Sequence, residues 1–267
     1  RCSRDWSSDV CSSDLIAALT TTQMSGLTTA QIRTLANNQL AALETSDLLE
    51  LSAAQVAAIG TGQIQALTTT QLSNLGSTQL QALSTAQLGQ ITAGDLATLT
   101  TTQYTELTTG QIAGLTAAQV GGLQTADLAA LDAGQIGAVR TAALQALDAT
   151  QIAALTTTQA SSLSNNQLKA LTTGQIAALE TADLAALSAT QIGALTTAQI
   201  AALQNSQLIS MSTTQLVALG TSQLASILPA DLASLGTTEW AAFTSGQDRK
   251  STRLNSVTAT SRMPSSA

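Results

Sequence analysis

From Leu19 onward an aliphatic or aromatic residue returns at every eighth position: Leu19, Leu27, Leu35, Leu43, Leu51, Ile59, Leu67 and so on to Leu235 and Phe243. No insertion or deletion interrupts the series. Numbered from that residue as position 1, the unit reads Leu-Thr-Thr-x-Gln-(Ile/Leu)-Ala-Ala, and residues 195–202 spell it in full. A second apolar series runs through position 6, beginning Met24, Ile32, Leu40, Leu48, Val56, Ile64. Strict repetition at a fixed short period is the signature of an array, in which one unit buries its apolar face only against its neighbours.

The period itself restricts the local structure. At about 100° per residue, eight residues leave a drift of roughly 80° per repeat, so the leucine stripe of one continuous helix would wind around the whole cylinder. In a flat strand, positions 1 and 6 differ in parity and point to opposite faces. Short helices fit better. Position 2 is usually Thr, Ser or Asp and position 5 usually Gln, which is the capping box of a helix start, and the apolar residues at positions 1 and 6 then fall at the two sites of the hydrophobic staple. Where position 2 caps poorly, the residue after it is expected to take over: Thr45 after Glu44, Thr125 after Gln124, Thr141 after Arg140, Thr181 after Glu180 and Asn205 after Gln204. On this reading each repeat keeps a capping side chain except at Leu228-Pro229, where Pro suits the first helical turn.

The expected fold is therefore all-α, a solenoid of short helices, one of about two turns per eight-residue repeat. A coiled β-solenoid with corners is the alternative, since it also accommodates both apolar positions and the Thr content. Helices this short depend on stacking. Position 6 and the next position 1 are three residues apart and are expected on one helix face, pointing into a continuous but thin core. Positions 4 and 8 are mostly small, which predicts close approach of adjacent turns along that face. Low charge and few aromatics also fit a disordered low-complexity chain, but the strict period argues against it.

Composition changes the picture only after the ends are set aside. Residues 5–15, 248–255 and 261–267 follow the codon order of a common sequencing-library adapter, and its indexed part can encode residues 1–4. Segments 1–15 and 248–267 are thus expected to be non-native, disordered tails around an array at 16–247, itself a fragment of a longer one. The tails hold both cysteines (Cys2, Cys11), Trp6 and six of the nine basic residues. The array has no Cys or His, and sets three basic residues (Arg33, Arg140, Lys169) against twelve acidic ones. That balance disfavours nucleic acid as a partner, and no apolar run reaches membrane-spanning length. A secretion signal could precede the fragment.

Without His or Cys, the usual nucleophile, general-base and zinc constellations cannot be assembled, so no catalytic residue, cofactor or metal ligand is expected. Carboxylates remain. Asp47, Asp95, Asp127, Asp183 and Asp231 replace Gln at position 5, and Glu44 and Glu180 accompany two of them at position 2. A ladder of calcium or acid/base sites is one reading. The stronger one is that an acid in the first helical turn complements the helix dipole, since neither an EF-hand loop nor a glycine-aspartate nonapeptide is present. The array's three aromatics, Tyr104, Trp240 and Phe243, fall on expected core slots. Glu239, Trp240 and Phe243 are the marks of an atypical terminal repeat.

The unit Leu-Thr-Thr-x-Gln-(Ile/Leu)-Ala-Ala resembles the octapeptide arrays of very large bacterial surface or secreted proteins, many of them adhesin-like. The resemblance spans 16–247, carries no active-site motif, and implies an extracellular or cell-surface location. A likeness to the Leu-Thr-x-x-Gln opening of transcription-activator-like effector repeats fails, because their longer period and base-reading pair are absent. Two functions compete: a stalk, spacer or adhesin-type segment, and a solenoid that binds a protein or surface ligand. The second would use the variable position-7 residues Arg33, Gln65, Gln81, Gln145 and Lys169 as a recognition stripe. A Thr-lined ice-binding face ranks third, and an enzyme last. A spacer predicts position-7 residues without a shared patch; a binder predicts that they cluster.

Overall fold

Each eight-residue unit folds as one short helix and one extended corner. Residues 16–243 of the computed structural model are described; the adapter-like tails lie outside them, as does the disorder expected there. Among the described residues there are 28 helices of four to six residues and no strand. The array is an all-helical solenoid with one helix per octad. The β-solenoid alternative is excluded.

The helices are shorter than two turns because positions 1 and 2 both leave the helical region. Leu195 closes one helix at φ −60°, ψ 148°, and Thr196 opens the next as its N-cap at φ −74°, ψ 159°. Two backbone bonds frame each turn, shown by Ile200 N–H to Thr196 C=O at 3.0 Å and Leu203 N–H to Ile200 C=O at 3.2 Å. Position 1 is therefore beyond the helix rather than on its face, although it is buried with position 6 as expected.

The cap register is stricter than the sequence suggested. Position 2 is the N-cap everywhere, including Glu44, Gln124, Arg140, Glu180 and Gln204, none of which accepts a cap hydrogen bond on its side chain. Position 3 does not take over; it stays the first helical residue. Ala36, Gly60, Gly76, Gly220 and Gly236 likewise cap without a side chain. Pro229 occupies the first helical turn, as its fixed φ predicts. At Ala36, Gly60, Gly76, Gln204 and Gly220 the position-5 glutamine still accepts the N-cap N–H, as Gln207 does from Gln204 at 2.8 Å.

The chain divides into two units, one ending at Val139 and one beginning at Arg140. Each is built the same way: nearly every helix packs against the helix three further on, giving three helices per turn and three columns of stacked helices. In the first unit α1 (Thr21–Ser25) packs on α4 (Thr45–Leu49). In the second, α18 (Thr157–Ser162), α21 (Thr181–Ala186) and α24 (Asn205–Ser210) form one column.

Position 6 forms the innermost layer, at 0–2% exposure from Met24 to Leu216. Position 1 surrounds it, at 2–9% from Leu43 to Leu235. At about 1.5–3 kcal/mol for each buried aliphatic side chain, these two layers are the main source of stability. Tyr104 joins the inner layer by donating its hydroxyl to the Leu96 carbonyl at 2.7 Å; burial, and then the charge of Asp127, push its pKa far up. Trp240 and Phe243 depart from expectation: both are half-buried, and their rings meet edge to face at 5.6 Å.

Close approach between turns falls on positions 8 and 3, not on position 4. A Cβ on Gly114, at position 8, would lie 2.7 Å from Cβ of Thr85, and one on Gly122 would lie 3.4 Å from Cβ of Ala93. At position 4, Gly62 has open space around it. The serines of position 8 use the same proximity, Ser226 donating to the Thr197 carbonyl at 3.0 Å.

Candidate functional site

The chemistry that recurs most in the structure belongs to the position-5 glutamine. Its Oε1 completes the capping box by accepting the N-cap N–H, as Gln199 does from Thr196 at 2.8 Å. Its Nε2 turns the other way and donates across the corner to the preceding turn. Gln199 reaches the Leu168 carbonyl at 2.8 Å and the Leu171 carbonyl at 2.7 Å, 31 and 28 residues earlier. The same pair of separations recurs at Gln71, Gln79, Gln111, Gln119, Gln135, Gln175, Gln207 and Gln215.

One amide thus ties the start of its own helix to carbonyls at the end of a helix in the turn before. The position-6 carbonyl already accepts the N–H three residues on, as Leu168 does from Leu171 at 3.2 Å; the position-1 carbonyl lies beyond the helix with no such donor, and burial would make it costly. The glutamines are themselves buried, Gln71 to 2% exposure, with both ends of the amide satisfied. Gln23 and Gln31, at the first described turn, are exposed and serve the box alone. Sequence reasoning missed this second role. The signal was available: a capping box accepts Glu as readily as Gln, yet Glu239 is the one glutamate at position 5 within the array. A donor is being selected, not just an acceptor.

The structure places the five position-5 aspartates apart. Asp47 and Asp95 are two turns from each other, as are Asp183 and Asp231, and Asp127 lies in a different column from Asp47 and Asp95. At roughly 8–10 Å per stacked helix, no two of these in one unit meet as a ladder. Nor, among the described residues, do three His, Cys, Asp or Glu side chains gather as a metal cluster. Their surroundings also differ. Asp95 and Asp231 are half-buried, and Asp95 accepts from the Thr92 hydroxyl at 2.6 Å. Asp127 is buried and accepts from the Thr101 hydroxyl at 2.7 Å, while Gln124 beside it donates to the Ala97 carbonyl at 3.5 Å.

Asp47 and Asp183 are the strained cases. Burial, then the charge of Glu44, raises the Asp47 pKa. Burial also raises that of Asp183, with Glu180 adding to it and hydrogen bonds from Thr157 and the Glu180 backbone opposing it. Oδ2 of Asp183 has no hydrogen-bond partner although the residue is 2% exposed.

The position-7 residues form no continuous stripe: of the five, only Gln145 and Lys169 in the second unit stand one turn apart in one column. In the first unit Gln65 belongs to a different column from Arg33 and Gln81, which are themselves two turns apart. Three of the five are turned to structural use: Gln65 donates to Oε1 of Gln90 at 2.8 Å, Gln81 to the Glu106 carbonyl at 3.0 Å and Gln145 to the Ala170 carbonyl at 2.6 Å. Open surface grooves run along equivalent corners. One of about 330 Å³ runs past Arg33, Gly60 and Gln87; another, of about 660 Å³, runs past Ala153, Glu180, Gln204 and Gln207. Among the described residues no helix is long and apolar enough to cross a membrane.

The ALTTAQ repeat matches residues 40–77, 120–157, 128–165 and 176–213. The chain carries ALTTAQ repeats. Ala194 to Gln199 spell the six letters directly, from position 8 through the next position 5. An ALTTAQ segment therefore ends on the glutamine that joins the turns, and begins on the small residue at which the turns approach. No curated protein matches the chain.

Proposed function

We propose that the array is a non-catalytic structural segment, a stalk, spacer or adhesin-type region of a large bacterial extracellular protein. The observation that carries this reading is the glutamine connection. The same residue in most octads joins its turn to the one before it, so turns can be added without altering any of them. The separation of Arg33, Gln65 and Gln81 in the first unit, with only Gln145 and Lys169 stacked in the second, supports a spacer over a binding stripe. Three of those side chains are already hydrogen-bonded between turns. Scattered carboxylates and a repeat composition without His or Cys fit a protein that is not an enzyme.

A spacer must convert repeat number into length. Chains extended by three, six and nine octads, measured by small-angle X-ray scattering, should increase in maximum dimension by equal steps. Unequal or vanishing steps would remove the basis for this function.

A further inference from the structure

The corner at Glu180 and Asp183 differs from the corner stacked on it by two exchanges of amide for carboxylate. At the upper corner, Gln204 donates to the Ala177 carbonyl at 3.0 Å, and Gln207 to the Ile176 and Leu179 carbonyls at 3.0 and 2.8 Å. These carbonyls close α20 (Thr173–Ala178). One turn earlier, Glu180 and Asp183 take the places of the two glutamines. The corresponding carbonyls are those of Ile152, Ala153 and Leu155, which close α17 (Ala149–Ala153). Where the upper corner sets N–H groups against carbonyl oxygens, the lower one has two acids at the corresponding positions.

A second observation makes this more than a pair of acids. Asp183 is held by the Thr157 hydroxyl and the Glu180 backbone, yet its Oδ2 is buried without a partner. Among the described residues no donor replaces the amide at the Leu155 carbonyl. Helix-dipole complementation accounts for the half-buried Asp95 and Asp231, and Thr101 with Gln124 accounts for Asp127. Neither accounts for a buried carboxylate oxygen without a hydrogen-bond partner. Glu180 is exposed and lines the open groove with Ala153, so this edge of the corner is open to solvent while Asp183 is buried.

We propose that this corner binds a hard divalent cation, Ca²⁺ in the first instance, between the carboxylates of Glu180 and Asp183 and the carbonyl oxygens of the α17 terminus. Such a set, carboxylates and main-chain carbonyls with water completing six to eight oxygens, is the coordination that Ca²⁺ accepts. The cation supplies the positive charge that the two amides supply one turn later. The sequence expectation of no metal rested on motif spacing, to which carbonyls a full turn away are invisible.

The test compares the full chain with the double variant Glu180→Gln, Asp183→Gln, which copies the Gln204 and Gln207 corner and is expected to fold. Isothermal titration with CaCl₂ at neutral pH should show one equivalent more bound by the parent than by the variant. Calcium should also raise the parent's melting temperature more than the variant's, reversibly with a chelator. Equal binding by the two chains, or none by the parent, overturns the proposal. So does a parent stabilised to the same degree by acid and left unchanged by calcium, because a proton then bridges the oxygens instead.

Discussion

At the scale of the residue, glutamine and glutamate serve a capping box alike, because Oε1 is all that the box requires. The second role separates them. Gln199→Glu keeps the Thr196 contact but removes the amide donor from the Leu168 and Leu171 carbonyls; Leu168 retains the Leu171 N–H, while the Leu171 carbonyl is left a buried acceptor without a donor, at about 1–3 kcal/mol. Thermal unfolding should show a loss of several degrees, partly recovered on acidification, when a protonated glutamate can donate again. Gln23→Glu, exposed and engaged only in its own box, should change the midpoint little. Equal losses at the two sites would mean that the bonds between turns contribute nothing. Thr-x-x-Gln made the cap legible in the sequence, and the helix register followed from it. The partner of Nε2 was hidden, since the carbonyls it meets become its neighbours only once three helices are known to complete a turn.

At the scale of the element, helices of four to six residues have little stability of their own, so single substitutions report on stacking. Gly62 and Gly114 make the comparison direct. An alanine at 62 meets nothing within 4 Å and reduces the freedom of the unfolded chain, so Gly62→Ala should stabilise by up to about 1 kcal/mol. An alanine at 114 meets Cβ and Cγ2 of Thr85 at 2.7 Å, and Gly114→Ala should destabilise by about 1–3 kcal/mol through displaced helices. Chemical denaturation midpoints of the two variants should move in opposite directions. The small residues at positions 4 and 8 looked equivalent in sequence because four residues separate them on a helical face. The structure distinguishes them: the N-terminal turn at position 4 faces solvent, whereas position 8 meets position 3 of the preceding turn. The aromatic pair Trp240 and Phe243 was likewise assigned by register alone, and register does not report how much packs around it.

At the scale of the whole molecule, the octad is the unit that can be removed without breaking a partnership. Deleting residues 195–202 leaves every remaining helix with a neighbour three helices away, and the melting temperature should shift only slightly. Deleting residues 195–198 sets Gln199 in the place of Leu195 and displaces two core positions, costing several kcal/mol at about 1.5–3 kcal/mol for each lost apolar side chain. Circular dichroism melts of the two variants decide between these outcomes, and equal damage would deny the octad its status as the unit. The period and the one-helix-per-repeat solenoid were readable from Leu19 to Phe243; the three-helix turn was not, because every octad looks alike from within the chain. The glutamine bonds also set a fixed horizon for folding. They close loops of 28 to 31 residues, and that span stays the same however many octads are present. Relative contact order therefore falls as the array lengthens. Each finished turn is a template for the next, so a long array can assemble by growth from an edge, without a search over its full length.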